Sequence, residues 1–204
     1  HKPFTLTCYT DKAEQIKKEV KVKDINVLRK FNTDRVFTYE KLILMEKHKE
    51  GVWLDLDILI HDDITCMADD DADFKMIWNY WNPYWMKSAR WYGKGVSCHV
   101  NSSFVKWNNP EWLIKFTNDN WKKIEFTYKS LDKYLFYQHA RNDRLKYWDK
   151  ELVSNYNVQG RKLPGKITIF NTSHKYNNKG IADDLAELHD ADHRVIKLWE
   201  SYDD

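Results

Sequence analysis

The sequence contains little cysteine, and the cysteines that it has form no recognisable pattern. Of its 204 residues only three are cysteines, Cys8, Cys66 and Cys98. They are widely spaced and odd in number, which excludes both a disulfide framework and a zinc site of the usual spacing. This usage is typical of a protein that works in a reducing compartment.

A strong net charge and a long apolar run are missing as well. The 33 basic and 31 acidic residues leave a formal net charge of +2, so no overall field favours nucleic acid as a partner. No apolar run is long enough to cross a bilayer, and no signal peptide is visible. We therefore expect a cytoplasmic protein without a membrane span in this chain and without a nucleic-acid partner.

Apolar and aromatic residues are abundant. Hydrophobic residues make up 42% of the chain and aromatic residues 15%, which argues against disorder. A chain of this length can bury a substantial core as one domain. No internal repeat, low-complexity tract or linker divides the sequence. We predict a single domain over residues 1–204.

The most informative stretch is the apolar run from Val52 to Ile60, which is interrupted by Asp55 and Asp57. Its β-branched and aromatic residues predict one strand buried on both faces, as in a parallel sheet with helices on each side. Two ionised carboxylates there are costly unless a positive charge meets them. Because side chains alternate along a strand, both acids would lie on one side and could bind one Mg²⁺ or Mn²⁺ ion. The alternative is a turn at the strand end with exposed acids.

The pattern around this strand predicts further α/β units. Residues 36–49 have helical spacing, with cations in the last turn and Gly51 as the stop, and they lead directly into the Asp55 strand. The other predicted elements are strands over 4–9, 25–28, 74–78, 100–107 and 166–170, and helices over 12–23, 110–123, from Asp132, and over 182–199.

Aromatic residues are concentrated between positions 79 and 95, where Trp81, Tyr84, Trp85, Trp91 and Tyr92 occur. Large flat rings with polar edges bind sugar rings and amphipathic ligands well. The segment is therefore a candidate binding surface. A core or partner-interface role is the alternative.

Several loose motifs occur together in the order found in one family. They are Lys2-Pro3-Phe4 with Thr10-Asp11, Tyr39-x-Lys41-Leu42, the run Gly51 to Asp57, and the run Asn101 to Trp107. This set resembles the Asp-x-Asp glycosyltransferases of the GT-A fold, in particular family 8-like and related bacterial and phage or viral members. The resemblance extends over most of the chain from Lys2 to Phe170, and the order of the motifs is more specific than any single motif.

The resemblance implies an α/β, GT-A-like (Rossmann-like) fold with a mixed, mostly parallel sheet flanked by helices. Family members begin with a strand and a helix that carry much of the base pocket, and we expect this chain to lack that first βα unit. In a viral member the compartment would be the host-cell cytoplasm.

Residue roles are also implied by the resemblance. Asp57 would bind the metal directly, and Asp55 would touch the metal and the ribose. Thr10 corresponds to a strand-end position against the nucleotide, and Lys41 to a basic residue that contacts the nucleotide or diphosphate.

The sugar side of the site is implied in the same way. Asn101 and Ser102 correspond to an Asn-Ser pair that hydrogen-bonds the donor sugar. Asp132 corresponds to the acid of a Gly-Asp-Gln motif that lines the sugar site, although Lys133 stands in place of the glutamine here. For Lys41, Asn101 and Ser102 an ordinary structural role is the alternative.

The chain departs from the family pattern after the last predicted strand. Family members have Phe-His-Gly there, with the histidine as a third metal ligand, whereas Phe170 is followed here by Asn171 and Thr172. Either Asn171 or His174 could complete the metal site, and Lys175 could add positive charge beside the diphosphate.

The expected activity is transfer of a sugar from a nucleoside-diphosphate sugar, a UDP-sugar first, to a hydroxyl of a carbohydrate or glycoconjugate acceptor. It would depend on Mn²⁺ or Mg²⁺, and the resemblance favours retention of anomeric configuration. Two alternatives stay open. One is a catalytically degenerate carbohydrate- or nucleotide-binding protein of the same fold. The other is a phosphotransferase of the haloacid dehalogenase type, in which Asp55 would be the nucleophile.

Overall fold

The structure is a computed structural model that describes residues 3–14, 16–28, 39–80, 98–128, 130–156 and 163–170. Strands and helices alternate along these ranges. In chain order they are β1 (Thr7–Thr10), β2 (Lys21–Asp24), a 3-10 helix (Ile25–Leu28), α1 (Glu40–Lys47), β3 (Glu50–Leu54), β4 (Ile58–Ile60), α2 (Thr65–Ala68), β5 (Phe74–Trp78), β6 (Val100–Asn108), α3 (Glu111–Thr127), α4 (Leu131–His139), β7 (Leu145–Tyr147), β8 (Val153–Asn155) and β9 (Ile167–Ile169). The predicted α/β class is confirmed.

In the described residues the strands form three sheets, and the two larger ones are mixed. β1 pairs with β2, the four-stranded sheet has the order β3-β6-β5-β7, and the three-stranded sheet has the order β4-β9-β8. β1–β2, β5–β7 and β8–β9 are parallel, whereas β3–β6, β5–β6 and β4–β9 are antiparallel. Parallel pairing therefore does not dominate in the described residues, because the central strand β6 runs antiparallel to both of its neighbours.

Strand β6 organises the core because apolar side chains project from both of its faces. Phe104 packs in one core cluster with Ile77 and Trp148, while Val105 and Trp107 pack in another with residues of α3 and α4. Burial of both faces explains why residues 100–107 read as a strand from the sequence. The prediction of strands at 74–78 and 100–107 is confirmed.

The predicted single strand from Val52 to Ile60 is wrong. The chain leaves β3 after Leu54, turns through Asp55, Leu56 and Asp57, and re-enters a different sheet as β4. β3 is only half-buried, because it is an edge strand of the four-stranded sheet and pairs there with β6. The argument that strand alternation places both acids on one side therefore does not apply, and the alternative of a strand-end turn describes the backbone better.

Two N-terminal predictions are also wrong. The predicted helix over 12–23 contains turns followed by β2, and the predicted strand at 25–28 is a 3-10 helix. The Lys-Val-Lys-Asp sequence of β2 alternates polar and apolar residues, and that alternation suits a strand beside β1. Strand 4–9 is shorter than predicted, and the helix over 182–199 lies outside the described residues.

The other predicted helices agree with the sequence to within about a turn where the structure describes them, but α1 ends at Lys47, and Gly51, the predicted stop, lies in β3. α3 begins at Glu111 and continues to Thr127, and α4 begins at Leu131 with Ser130 as its N-cap. None of the helices in the described part of the chain has the length and apolar character needed to cross a bilayer.

Candidate active site

The candidate site is built on the turn that joins β3 to β4. The amide N–H of Asp55 donates to the carbonyl oxygen of Ser103 on β6 at 2.8 Å, and the N–H of Phe170, just after β9, donates to the carbonyl of Asp57 at 2.8 Å. The turn is therefore held at both ends by strands of two different sheets. Leu56, between the two acids, is 91% exposed.

The Asp55 carboxylate is held by two cationic or polar donors. The Lys41 ammonium lies 2.8 Å from Oδ1 and 3.0 Å from Oδ2, and the indole N–H of Trp53 donates to Oδ1. The Asp55 side chain is 30% exposed, whereas Lys41 is only 5% exposed. The positive charge required to offset an acid at this turn is thus supplied by the protein itself.

Lys41 also connects helix α1 to strand β6. Its ammonium donates to the carbonyl oxygen of Ser102 at 2.8 Å and contacts the Ser102 hydroxyl at 3.2 Å. The three protons of the ammonium therefore have protein acceptors on Asp55 and Ser102. Contact of Lys41 with a nucleotide or diphosphate stays a prediction.

Ser102 in turn binds Asp132 at the start of α4. The Ser102 N–H donates to Asp132 Oδ1 at 3.0 Å. Burial raises the pKa of the Asp132 carboxyl, while the Ser102 hydrogen bond and the nearby Lys41 charge oppose that rise. The Ser130 hydroxyl accepts from the Lys133 N–H at 3.3 Å and caps the helix that carries this acid.

Four of the predicted site residues thus form one connected network, Asp55–Lys41–Ser102–Asp132. Asn101 lies beside it, but its side-chain oxygen accepts from the Ser103 N–H at 2.8 Å, within its own strand. Sugar contacts from Asn101, Ser102 and Asp132 remain predictions.

Thr10 is not joined to this network by a hydrogen bond. Within the described ranges, its hydroxyl bonds only to Lys12, whose N–H it accepts at 3.0 Å, in a local turn after β1. The predicted metal ligands Asn171 and His174, the predicted cation Lys175 and most of the aromatic segment 79–95 lie outside the described residues.

A metal site is only partly built from the described residues. In that part of the chain no three or more His, Cys, Asp or Glu residues lie close enough together to hold a metal ion. Asp55 and Asp57 are hard oxygen donors at one turn, which is the donor type that Mg²⁺ and Mn²⁺ prefer.

Trp53 is the participant that the sequence analysis missed. It is the penultimate residue of β3 and lies two residues before Asp55, and this closeness in the sequence was the signal that could have suggested the contact. Its apolar context instead marked it as a core residue.

The chain matches no protein-family model and no curated protein. Solved structures do resemble it. The galactosyltransferase LgtC, in complex with donor and acceptor sugar analogues, matches with a TM-score of 0.51 at 15% sequence identity, over 84% of this chain and 74% of LgtC. An active-site variant of LgtC matches with a TM-score of 0.50 at 13% identity, over 85% and 75%.

A third similar structure is a glycosyltransferase involved in the glycosylation of the major capsid protein of PBCV-1, with a TM-score of 0.48 at 9% identity, over 78% of each chain. At 15% and 13% sequence identity, the similarity to the two LgtC structures establishes the fold alone. The chain therefore has a GT-A-like fold, as LgtC does.

Proposed function

We propose that this protein transfers a sugar from a nucleoside-diphosphate sugar, a UDP-sugar first, to a hydroxyl of a carbohydrate or glycoconjugate acceptor. The observation that carries the proposal is the network at the β3–β4 turn, in which a buried lysine joins Asp55 to Ser102 and Ser102 joins Asp132. A buried charged network costs free energy to build, and perturbed ionisable groups concentrate at functional sites. The likeness of the fold to LgtC supports the same function.

In this proposal Asp55 and Asp57 hold Mn²⁺ or Mg²⁺. When bound, the ion offsets the negative charge that develops on the diphosphate as it leaves. The protein's own contribution is to fix the acids, because backbone bonds from Ser103 and Phe170 hold the turn that carries them. His174 or Asn171 would complete the ligand set, and Lys175 would lie beside the diphosphate.

Lys41 has two parts in this proposal. It offsets the charge of Asp55 in the absence of ligand and holds the carboxylate in one orientation. It also places a positive charge next to the turn, where a diphosphate would bind. Thr10 would contact the nucleotide from the end of β1.

Asn101, Ser102 and Asp132 would contact the donor sugar. Ser102 and Asp132 are fixed by their mutual hydrogen bond, so the polar groups of β6 and α4 are preorganised for a ligand. The aromatic segment 79–95 would bind the acceptor. The reaction breaks the bond between the anomeric carbon and a diphosphate oxygen and forms a bond from that carbon to the acceptor oxygen. The acceptor hydroxyl gives up its proton, which the leaving diphosphate can take up, and the anomeric configuration is retained.

The test is turnover of UDP-sugars by the purified protein. With Mn²⁺ present, we expect release of UDP from at least one UDP-sugar, and we expect chelation of the metal to stop it. Binding of UDP without release of sugar from any donor would instead support the degenerate binding protein. Phosphate release from simple phosphate esters would support the phosphotransferase, which the GT-A-like fold disfavours.

A further inference from the structure

Trp53 is tied to two members of the network by different parts of its side chain. Its indole N–H donates to Asp55 Oδ1, and its ring lies under the Lys41 ammonium, which is 5.3 Å from the ring centroid. We propose that Trp53 is a positioning residue that fixes the Asp55 carboxylate for the divalent ion and supports the Lys41 charge beside it. This inference rests on the proposed function.

The surroundings of Trp53 make it a rigid support. It is the penultimate residue of β3, where its partner across the sheet is Val105 of β6. Its half-buried ring packs against two core clusters, one on the side of α3 and α4 and one formed by Leu28, Ile43 and Leu44. An indole held on two sides in this way directs its N–H at a fixed point.

The Lys41 ammonium depends on this ring as well as on Asp55. Lys41 is 5% exposed, and within the described part of the chain its one carboxylate partner is Asp55. A desolvated ammonium is attracted to the face of an indole, and tryptophan is the strongest of the aromatic residues in this role. Trp53 therefore supports both charges of the pair.

The donors are distributed unequally over the two oxygens of Asp55. Oδ1 receives the Trp53 N–H and a Lys41 contact, whereas Oδ2 receives Lys41 alone. Each carboxylate oxygen has two acceptor positions, so in the described part of the chain Oδ2 is the oxygen with acceptor capacity left. Trp53 thus orients the carboxylate so that Oδ2 is presented to a cation.

The substitution Trp53→Phe keeps an aromatic ring in the core and removes the N–H. Removing a partner that orients a metal ligand typically costs 10- to 100-fold in metal affinity. We expect Trp53→Phe to weaken Mn²⁺ binding by about 10-fold, measured by electron paramagnetic resonance titration, with an unchanged circular dichroism spectrum.

Trp112→Phe is the matched control. The indole N–H of Trp112 is buried and has no hydrogen-bond partner among the residues that the structure describes, so this substitution removes an aromatic N–H without breaking a hydrogen bond there. We expect its Mn²⁺ affinity to equal that of the unaltered protein. Equal affinities for all three proteins would overturn the role of Trp53 while leaving the proposed function intact.

A second measurement does not require bound metal. In ¹⁵N-labelled protein, the indole N–H resonance missing from Trp53→Phe identifies Trp53. We expect that resonance to exchange slowly with solvent and to shift in Asp55→Asn. A fast-exchanging resonance that does not respond to Asp55→Asn would overturn the inference. Failure of the unaltered protein to bind Mn²⁺ would overturn the metal role of Trp53 together with the metal dependence of the proposed function.

Discussion

At the scale of single residues, Lys41 is the most constrained charge of the candidate site. A buried ammonium is tolerated only where a carboxylate and further acceptors meet it, and Asp55 and Ser102 supply them. Burial of Lys41 could not be predicted from the sequence, because lysines on helices are usually solvated. Lys41 was chosen instead because the motif Tyr39-x-Lys41-Leu42 is part of the resemblance to the Asp-x-Asp glycosyltransferases.

Replacement of Lys41 should therefore destabilise the fold. Breaking a fully buried ion pair costs about 3–5 kcal/mol, and the partial exposure of Asp55 reduces that cost through solvent screening. We expect Lys41→Met to lower the free energy of unfolding by roughly 2 kcal/mol, measured by urea denaturation.

Lys115→Met is the control for this substitution. Lys115 pairs with Asp119 at 2.7 Å, but its side chain is 78% exposed, so its loss should cost less than about 0.5 kcal/mol. Similar losses for the two variants would show that the Lys41 pair is not a buried one.

The buried residue His139 should make the stability of the protein depend on pH. It is 4% exposed, its Nε2 lies 3.1 Å from the Tyr134 hydroxyl, and the rings of Trp112, Phe116 and Tyr134 surround it. Burial lowers its pKa from 6.5 to about 4. The imidazole is therefore neutral in the folded protein at pH values where it is charged in the unfolded chain.

Stability should fall as the pH is lowered through this window. Above pH 6.5 both states are neutral, and between 6.5 and about 4 only the unfolded chain takes up the proton. We expect His139 to account for a loss of up to about 3 kcal/mol across that range. Urea denaturation of the unaltered protein and of His139→Gln at several pH values measures it. The glutamine variant should lose less stability on acidification, and parallel pH profiles would contradict the assignment.

At the scale of secondary-structure elements, long patterns were predictable and most short ones were not, although the three-residue strand β9 lies within the predicted strand 166–170. β5 was predicted because Phe74, Met76 and Trp78 alternate over its five residues. β6 was predicted because its nine residues include Phe104, Val105 and Trp107. β7 and β8 were missed because each has three residues, too few for a period to appear. The turn from Asp55 to Asp57 was not predicted because it lies within an apolar run. The composition of such a run does not show that its two halves enter different sheets.

In the candidate site, most of the residues were predictable from the sequence but their contacts were not. Asp55, Lys41, Ser102 and Asp132 could be picked out from motifs, and the structure brings them together. Which side chains bond to which could not be deduced, because those contacts depend on how α1 and α4 pack on β6. Trp53 was missed because its apolar context marked it as a core residue.

The pairing of β3 with β6 depends on Gly51. Gly51 lies opposite Trp107, and a Cβ atom there would lie 2.7 Å from Cη2 of the Trp107 ring. The ring cannot easily move, since it is 3% exposed and its N–H donates to the His48 carbonyl at 2.8 Å. We expect Gly51→Ala to lower the free energy of unfolding by about 2 kcal/mol, measured by urea denaturation.

A double-mutant cycle shows whether this contact is the cause. In a Trp107→Phe background the smaller ring leaves room, so the added methyl group should cost clearly less than in the unaltered protein. Additive effects of the two substitutions would refute the steric explanation.

At the scale of the whole molecule, the candidate site lies where two sheets are joined by one turn. β3 belongs to the four-stranded sheet and β4 to the three-stranded sheet, and the acids occupy the connection between them. A site anchored to two sheets is held more precisely than one on a free loop. In the proposed function Asp55 and Asp57 bind a divalent ion, so we expect ligand binding at this turn to be metal-dependent.

The most direct test is calorimetric titration of UDP into the protein with and without Mn²⁺. Asp57→Asn removes a proposed metal ligand, and Asp71→Asn removes an exposed acid of the loop after α2 as the matched control. We predict UDP binding that requires Mn²⁺, is weakened at least about 10-fold in Asp57→Asn and is unchanged in Asp71→Asn. UDP binding that is independent of Mn²⁺, or equal in the Asp57→Asn and unaltered proteins, would contradict a metal-dependent sugar-nucleotide site at this turn.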